Sequence, residues 1–75
     1  MTNSIYQVVV TDPQNHKVLH VAFFRLYAYA IACMNEVHAL FAGKGLVVSV
    51  WQNTLFEVGW DGNLNVREEL TRDLN

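Results

Sequence analysis

The sequence predicts an α+β domain in which one long helix packs on a four-stranded antiparallel sheet. The predicted order is β-β-α-β-β, followed by a short C-terminal helix or tail. Three observations predict this fold: one stretch has sustained helical periodicity, four shorter stretches are rich in β-branched and aromatic residues, and turn-forming segments separate them. A chain of 75 residues has the length of one domain, which we place at residues 1–75.

The first two strands are predicted to form a hairpin. Residues 5–11 read IYQVVVT and residues 18–23 read VLHVAF, compositions typical of strands. The segment between them, residues 12–15, predicts a turn, because Pro13 fixes φ and Asp12 can bond to the nearby backbone. The side chains predicted to face the core are Tyr6, Val8, Val10, Leu19, Val21 and Phe23.

Residues 23–44, FFRLYAYAIACMNEVHALFAGK, predict the helix. Two adjacent apolar stripes follow a spacing of three and four residues and leave a narrow polar side. Gly43 and Gly45 predict its C-terminal cap, whereas no capping residue marks its start. The uninterrupted apolar run is about half of the 18 or more residues that a membrane span needs. The stripes are Leu26, Ala30, Cys33, Val37 and Leu40, and beside them Tyr27, Ile31, Met34 and Phe41.

The second half of the chain predicts two more strands. Residues 46–51 form the third strand, with Leu46, Val48 and Val50 facing the helix. Residues 52–54 are a predicted turn, and residues 55–60 form the fourth strand. Its inward side chains are Phe56, Val58 and Trp60.

The last stretch has two readings. After the Asp61-Gly62 turn signal, residues 63–66 can add a short fifth strand. Alternatively, Asn65 with Glu68 three residues later has the spacing of a helix N-cap, which predicts a short or frayed helix over residues 66–74. We favour the helix, with Leu70 and Leu74 as its apolar contacts.

The chain has more apolar surface than this fold can bury. It is 52% hydrophobic and 16% charged, against about 45–50% and about 25% in typical domains. One helix covers only part of a four-stranded sheet, so the second sheet face remains open, and an open apolar face marks an interface. That face is predicted to carry Ile5, Val9, Val18, Val47, Trp51 and Leu55, mixed with Gln7, His20, Ser49 and Glu57.

Seven residues are therefore candidates for an interface. Tryptophan is enriched at binding hot spots, although Trp51 is equally an ordinary way to complete a small core. On the helix, Tyr29 lies on the exposed side with Arg25 one turn before it. The sequence leaves open whether the sheet face or the helix forms the interface. The candidates are Trp51, Val47, Leu55, Ile5 and Val9 on the sheet, and Tyr29 and Arg25 on the helix.

The sequence predicts no enzyme, no cofactor and no metal. Cys33 and His38 are five residues apart and point in different directions on a helix, and Cys33 lies in the apolar run. Asp12, His16 and His20 are spaced by four but straddle a turn and a strand. Asp12, Glu36, Glu57 and Asp61 are widely spaced and no two of them share a predicted face, and no nucleotide-binding or nucleophile motif is present.

The charge of the chain does not favour any strongly charged partner. The net charge is −2, and the five basic residues are scattered, so nucleic-acid binding is not favoured. One cysteine allows no internal disulfide. The N-terminus lacks the pattern of a signal peptide, which predicts a cytoplasmic location without membrane association.

These observations favour a small non-enzymatic, protein-binding module that self-associates as a homodimer. Such a module acts as an inhibitor, adaptor or regulator of a partner protein, as small phage and mobile-element accessory proteins do. The alternative is a small-ligand or nucleotide-binding domain with an aromatic-lined pocket at a subunit interface. In that alternative, Arg25 or Lys44 binds an anionic group of the ligand. The aromatic residues that line the pocket are Tyr27, Tyr29, Trp51 and Trp60.

Overall fold

A computed structural model describes residues 2–59 and 62–74 and contains one helix on a four-stranded antiparallel sheet. The strand order is β2-β1-β3-β4, so two hairpins lie side by side with β1 and β3 in the centre. This arrangement confirms the predicted α+β class, with a four-stranded antiparallel sheet and the long helix packed on it. The elements are β1 (Thr2–Asp12), β2 (Lys17–Phe24), α1 (Tyr27–Leu40), β3 (Val47–Val58) and β4 (Gly62–Leu74).

The turn between β1 and β2 forms where the sequence predicts it. The carboxylate of Asp12 accepts hydrogen bonds from the backbone N–H of Gln14 at 3.0 Å and from Nδ2 of Asn15 at 2.8 Å. This local pairing stabilises the turn without help from the rest of the fold. His16 closes it in the left-handed region, with φ of 52°.

The helix is shorter than predicted at both ends. Phe23 and Phe24 complete β2, and α1 begins only at Tyr27. Its N-cap position is Leu26, which forms no side-chain capping bond, in agreement with the missing start signal. The helix ends at Leu40, and the predicted glycines follow it in the left-handed conformation, with φ of 78° at Gly43 and 71° at Gly45.

The core lies between α1 and the central strands. It consists of buried valines from β1 and β3 and three buried residues of α1. Val8 pairs with Val50 and Val10 with Val48 across the two strands, as the predicted alternation requires. The Tyr27 ring packs edge-on against that of Tyr6 at 5.5 Å, which places the start of α1 over β1. The buried residues of this cluster are Val8, Val10, Ala30, Met34, Val37, Val48 and Val50.

The predicted register of β2 is wrong by one residue. Ala22 pairs with Val8, and Phe24 pairs with Tyr6, so these residues lie on the helix side. Val21 and Phe23, predicted to face the core, lie on the opposite face. Because β2 is apolar at nearly every position, alternation alone cannot choose its face, and a register shift between Val10 and Thr11 adds an extra residue. His20 likewise lies opposite Val10 on the helix side.

The predicted turn at residues 52–54 is also wrong, because β3 continues through it. Polar groups in this segment are satisfied across the strands instead of by a turn. Oγ of Ser4 receives a bond from Nε2 of Gln52 at 3.2 Å and lies 3.2 Å from the hydroxyl of Thr54. Nδ2 of Asn53 donates to Oε1 of Gln7 at 3.3 Å. The polar triplet therefore belongs inside the sheet.

The predicted C-terminal helix is replaced by β4. The strand pairs with β3 from Val47 opposite Leu74 to Val58 opposite Gly62. The Asn65 and Glu68 pattern resembles a helix start, but the backbone partners offered by β3 override this local preference. The predictions for the side chains of Val58, Trp60 and Leu74, and for Asp61 in the turn, lie outside what the structure describes.

Candidate interaction surface

The sheet face opposite α1 is the candidate surface, and we call it the open face. Antiparallel partners share a face, so the register defines its members. The open face comprises Asn3, Ile5, Gln7, Val9, Thr11, Val18, Val21, Phe23, Val47, Ser49, Trp51, Asn53, Leu55, Asn65, Arg67, Glu69 and Arg72.

Trp51 is the centre of a cluster that its own chain already covers. Its Nε1 donates a hydrogen bond to Oγ of Ser49 at 3.0 Å. The guanidinium carbon of Arg67 lies 4.0 Å from the centre of the Trp51 ring, in a cation–π geometry. Val9, also on this face, is only 7% exposed. This part of the open face is therefore packed and hydrogen-bonded within one chain.

The β4 side of the open face is polar, and its charges are partly paired. Nη2 of Arg67 donates to Oε1 of Gln7 at 3.2 Å. Arg72 forms a salt bridge with Glu69 at 2.8 Å. We call this region, with Trp51, the polar half of the open face; its residues are Gln7, Ser49, Trp51, Asn53, Asn65, Arg67, Glu69 and Arg72.

The β2 side of the open face is apolar and exposed. Phe23 is 64% exposed, and Val21, Ile5 and Leu55 are also exposed. We call these four residues the apolar half. It is not covered by α1, which contacts β1, β2 and β3 from the other side of the sheet. A cluster of large exposed apolar side chains is typical of an interaction site.

A shallow pocket of about 820 Å³ lies at one end of the apolar half. Ile5, Phe23 and Leu55 form its apolar wall, and Arg25 reaches its rim. Three asparagines and Gln7 add amide groups, and none of the described residues that line it is acidic. The pocket is therefore suited to a group with an apolar body and a negative charge. The asparagines are Asn3, Asn53 and Asn65.

The seven predicted interface residues fall in different places. Trp51, Val9, Ile5 and Leu55 share the open face, but Trp51 and Val9 are the two that the chain itself covers. Val47 also lies on the open face, as predicted, half-buried at the end of β3 and opposite Thr11. Arg25 follows β2 rather than lying on the helix, and it joins Ile5 and Leu55 at the pocket. Tyr29 is exposed on α1, on the other side of the sheet.

Sequence reasoning missed Phe23 and Val21, because it placed them in the core. A signal was available in the run from Val18 to Phe24, which has no charge and no strict alternation. Such a strand has apolar side chains on both faces, and α1 covers only one of them. Whichever register it adopts, some of its apolar side chains must face away from the helix.

The described residues present little that is typical of a catalytic centre. Burial raises the pKa of the Cys33 thiol, and the Glu36 carboxylate raises that pKa further, which disfavours the nucleophilic thiolate. No group of three or more acidic, histidine or cysteine side chains is placed to hold a metal in the described part of the chain. Within the same residues, no helix has the length and apolarity needed to cross a membrane.

Comparison of the chain with protein-family models, with curated proteins and with solved structures found no match.

Proposed function

We propose that this protein is a small, non-enzymatic, protein-binding module that self-associates and regulates a partner protein by occupying a surface of it. The observation that carries this proposal is the exposed apolar half of the open face, formed by Ile5, Val21, Phe23 and Leu55. The desolvated centre of a protein–protein interface is depleted in charge and enriched in aromatic side chains; the apolar half has no charged residue and includes the aromatic Phe23.

The chemistry next to the apolar half specifies the partner. Arg25 lies at the rim of the pocket, and the lining residues that the structure describes include no acid to neutralise it. A partner surface that places a bulky apolar side chain against Phe23 and a carboxylate against Arg25 would satisfy both features. Asparagine amides in the same pocket can donate further hydrogen bonds to that carboxylate.

The polar half has a supporting role in this proposal. Arg67 and Asn53 both bond to Gln7, so these side chains are held in fixed positions before a partner arrives. A preorganised polar rim lowers the entropy cost of binding. We therefore expect the open face to bind without a large rearrangement of its backbone.

A selection of random peptides against the immobilised chain tests the proposed function. The enriched peptides should combine a large apolar residue with Asp or Glu. Calorimetry with a synthetic peptide of the enriched sequence should show at least a tenfold weaker affinity for Ile5→Glu and for Arg25→Glu. Both substituted side chains are exposed, so the fold should tolerate the changes.

The matched control is Leu40→Glu at the end of α1, where the side chain is 75% exposed and far from the open face. It introduces the same charge and should leave the affinity unchanged. Selection of no peptide, or equal affinities for all four proteins, would overturn the proposed function.

A second candidate is the binding of a small anionic ligand, and the pocket of about 820 Å³ with Arg25 at its rim favours it. The aromatic lining differs from the sequence-based expectation, because Phe23 contributes to the pocket and the predicted Tyr27, Tyr29 and Trp51 do not. A thermal-shift screen of nucleotides and other anionic metabolites tests this candidate. The expected result is a rise in melting temperature that Arg25→Ala abolishes; no shift for any compound would contradict it.

A further inference from the structure

The two edges of the sheet differ sharply in charge. β4 contains five charged residues among its 13, and charged side chains along an edge oppose pairing with another strand. β2 has a single charge, Lys17, at its first position, and the seven residues that follow have no acidic or basic side chain other than His20. Only the β4 edge has the usual protection against association.

The β2 edge has free hydrogen-bonding capacity along an apolar surface. In a sheet edge every second residue directs its N–H and C=O away from the neighbouring strand. The side chains on this edge are mostly exposed, including Val18, Leu19, Val21 and Phe23. A long apolar edge of this kind is a template for a further strand.

We propose that the β2 edges of two copies pair in antiparallel fashion about a twofold axis, so that the dimer has one continuous eight-stranded sheet. The strand is complementary to itself, because its central residues are uncharged in both copies. A register centred on Ala22 places Val21 of one copy opposite Phe23 of the other on the open face. It also leaves Lys17 beyond the paired region and separates it from Arg25. Aromatic and β-branched side chains form favourable cross-strand pairs.

This dimer gives the apolar half a second function. A twofold axis normal to the sheet places both helices on one side and both open faces on the other. Val21 and Phe23 of the two copies then form one apolar surface across the axis, so each copy completes the other's binding surface. The role of that surface rests on the proposed protein-binding function, whereas the pairing of the edges does not.

The paired strip is short, and this sets the expected stability of the dimer. In this register residues 20–24 of the two copies pair, a strip of roughly 17 Å at about 3.4 Å per residue. Stable interfaces bury about 800 Å² per partner, and one strand pair with its side chains lies at the low end of that scale. We therefore expect a dimer that dissociates on dilution through the micromolar range.

Light scattering during size-exclusion chromatography tests the proposal. The unmodified chain should elute at twice its mass of 8.6 kDa at high concentration. Phe23→Lys and, as a second variant, Leu19→Lys should elute as monomers, because a lysine on the edge opposes strand pairing. The matched control, Leu64→Lys on β4, has a side chain of similar exposure, 52%, and should remain a dimer. Far-UV circular dichroism verifies the fold of each variant.

The proposal is overturned if the unmodified chain is monomeric at all concentrations. It is also overturned if the Leu64→Lys variant is a monomer while the Phe23→Lys variant is a dimer. The failure of the proposed function has a different signature. If the unmodified chain is a dimer that Phe23→Lys dissociates, but no peptide is selected, the proposed β2 pairing stands and the proposed partner-binding function fails.

Discussion

The guanidinium of Arg67 lies over the ring of Trp51 at 4.0 Å, and the two residues come from adjacent strands, β4 and β3. This contact joins the two residue types that dominate protein interfaces, yet here one chain supplies both. Because Arg67 covers the Trp51 ring, Trp51 is less suited to be a binding hot spot than Phe23. The Phe23 side chain is exposed on the β2 side of the same face.

Arg67→Ala should lower the free energy of unfolding by about 1 kcal/mol, because it removes the cation–π contact and the bond to Gln7. Urea denaturation at fixed protein concentration measures the change. Arg72→Ala is the control and should cost less than about 0.5 kcal/mol, because its salt bridge with Glu69 is largely exposed. In a Trp51→Leu background the cost of Arg67→Ala should fall, and an unchanged cost would contradict the cation–π assignment.

A disulfide introduced between Thr54→Cys and Val66→Cys should form readily, since these positions are directly opposite in β3 and β4. Opposite Cα atoms in an antiparallel pair lie about 4.5–5.5 Å apart, within the range that a disulfide spans. Cys33→Ser removes the native thiol from the background. Non-reducing electrophoresis and mass spectrometry of peptides detect the link.

The control for this register pairs Thr54→Cys with Arg67→Cys, whose side chain lies on the other face of β4. It should link slowly or not at all. Equal linking of both pairs would contradict the register, and a C-terminal helix would bring neither pair together.

Val50→Ala should destabilise the chain by about 2 kcal/mol, because the Val50 side chain is fully buried and packs against α1. The same denaturation measurement applies. Val66→Ala on the exposed part of β4 makes the same change in size and should cost less than about 0.5 kcal/mol. Similar losses in the free energy of unfolding for Val50→Ala and Val66→Ala would contradict the assignment of Val50 to the core.

The Cys33 thiol should react with iodoacetamide more slowly in the folded chain than in the urea-unfolded chain at pH 8. Its folded-state pKa is raised by burial and then by Glu36, so less thiolate is present in the folded state. The associated stability is therefore present at low pH and is lost as the pH rises through the folded pKa. Glu36→Gln should speed the folded-state reaction; a folded chain that reacts as fast as the unfolded one would contradict the assignment.

Local signals in the sequence predicted several elements of the first half of the fold. The alternation of β1, the turn at Asp12 and the left-handed Gly43 and Gly45 depend on residues close in sequence, and all three are observed. The same alternation in β3 placed Val48 and Val50 under the helix. These elements follow from short-range steric and hydrophobic preferences.

The errors arose where partners distant in sequence determine the structure. The polar segment at Gln52 looks like a turn until Gln7 and Ser4 of β1 are placed beside it. β4 resembles a helix start until β3 supplies its backbone partners. The face of β2 was assigned wrongly because its composition does not alternate, and that error concealed Phe23 and Val21 from the predicted interface.

Amide hydrogen exchange of the unmodified chain at two concentrations tests the β2 pairing most directly. At high concentration the outward amides of residues 20–24 should be protected, and on dilution through the micromolar range they should lose that protection. The outward amides of β4 should exchange quickly at both concentrations. Equal exchange of the β2 amides at the two concentrations, in a chain whose central strands remain protected, would contradict the account.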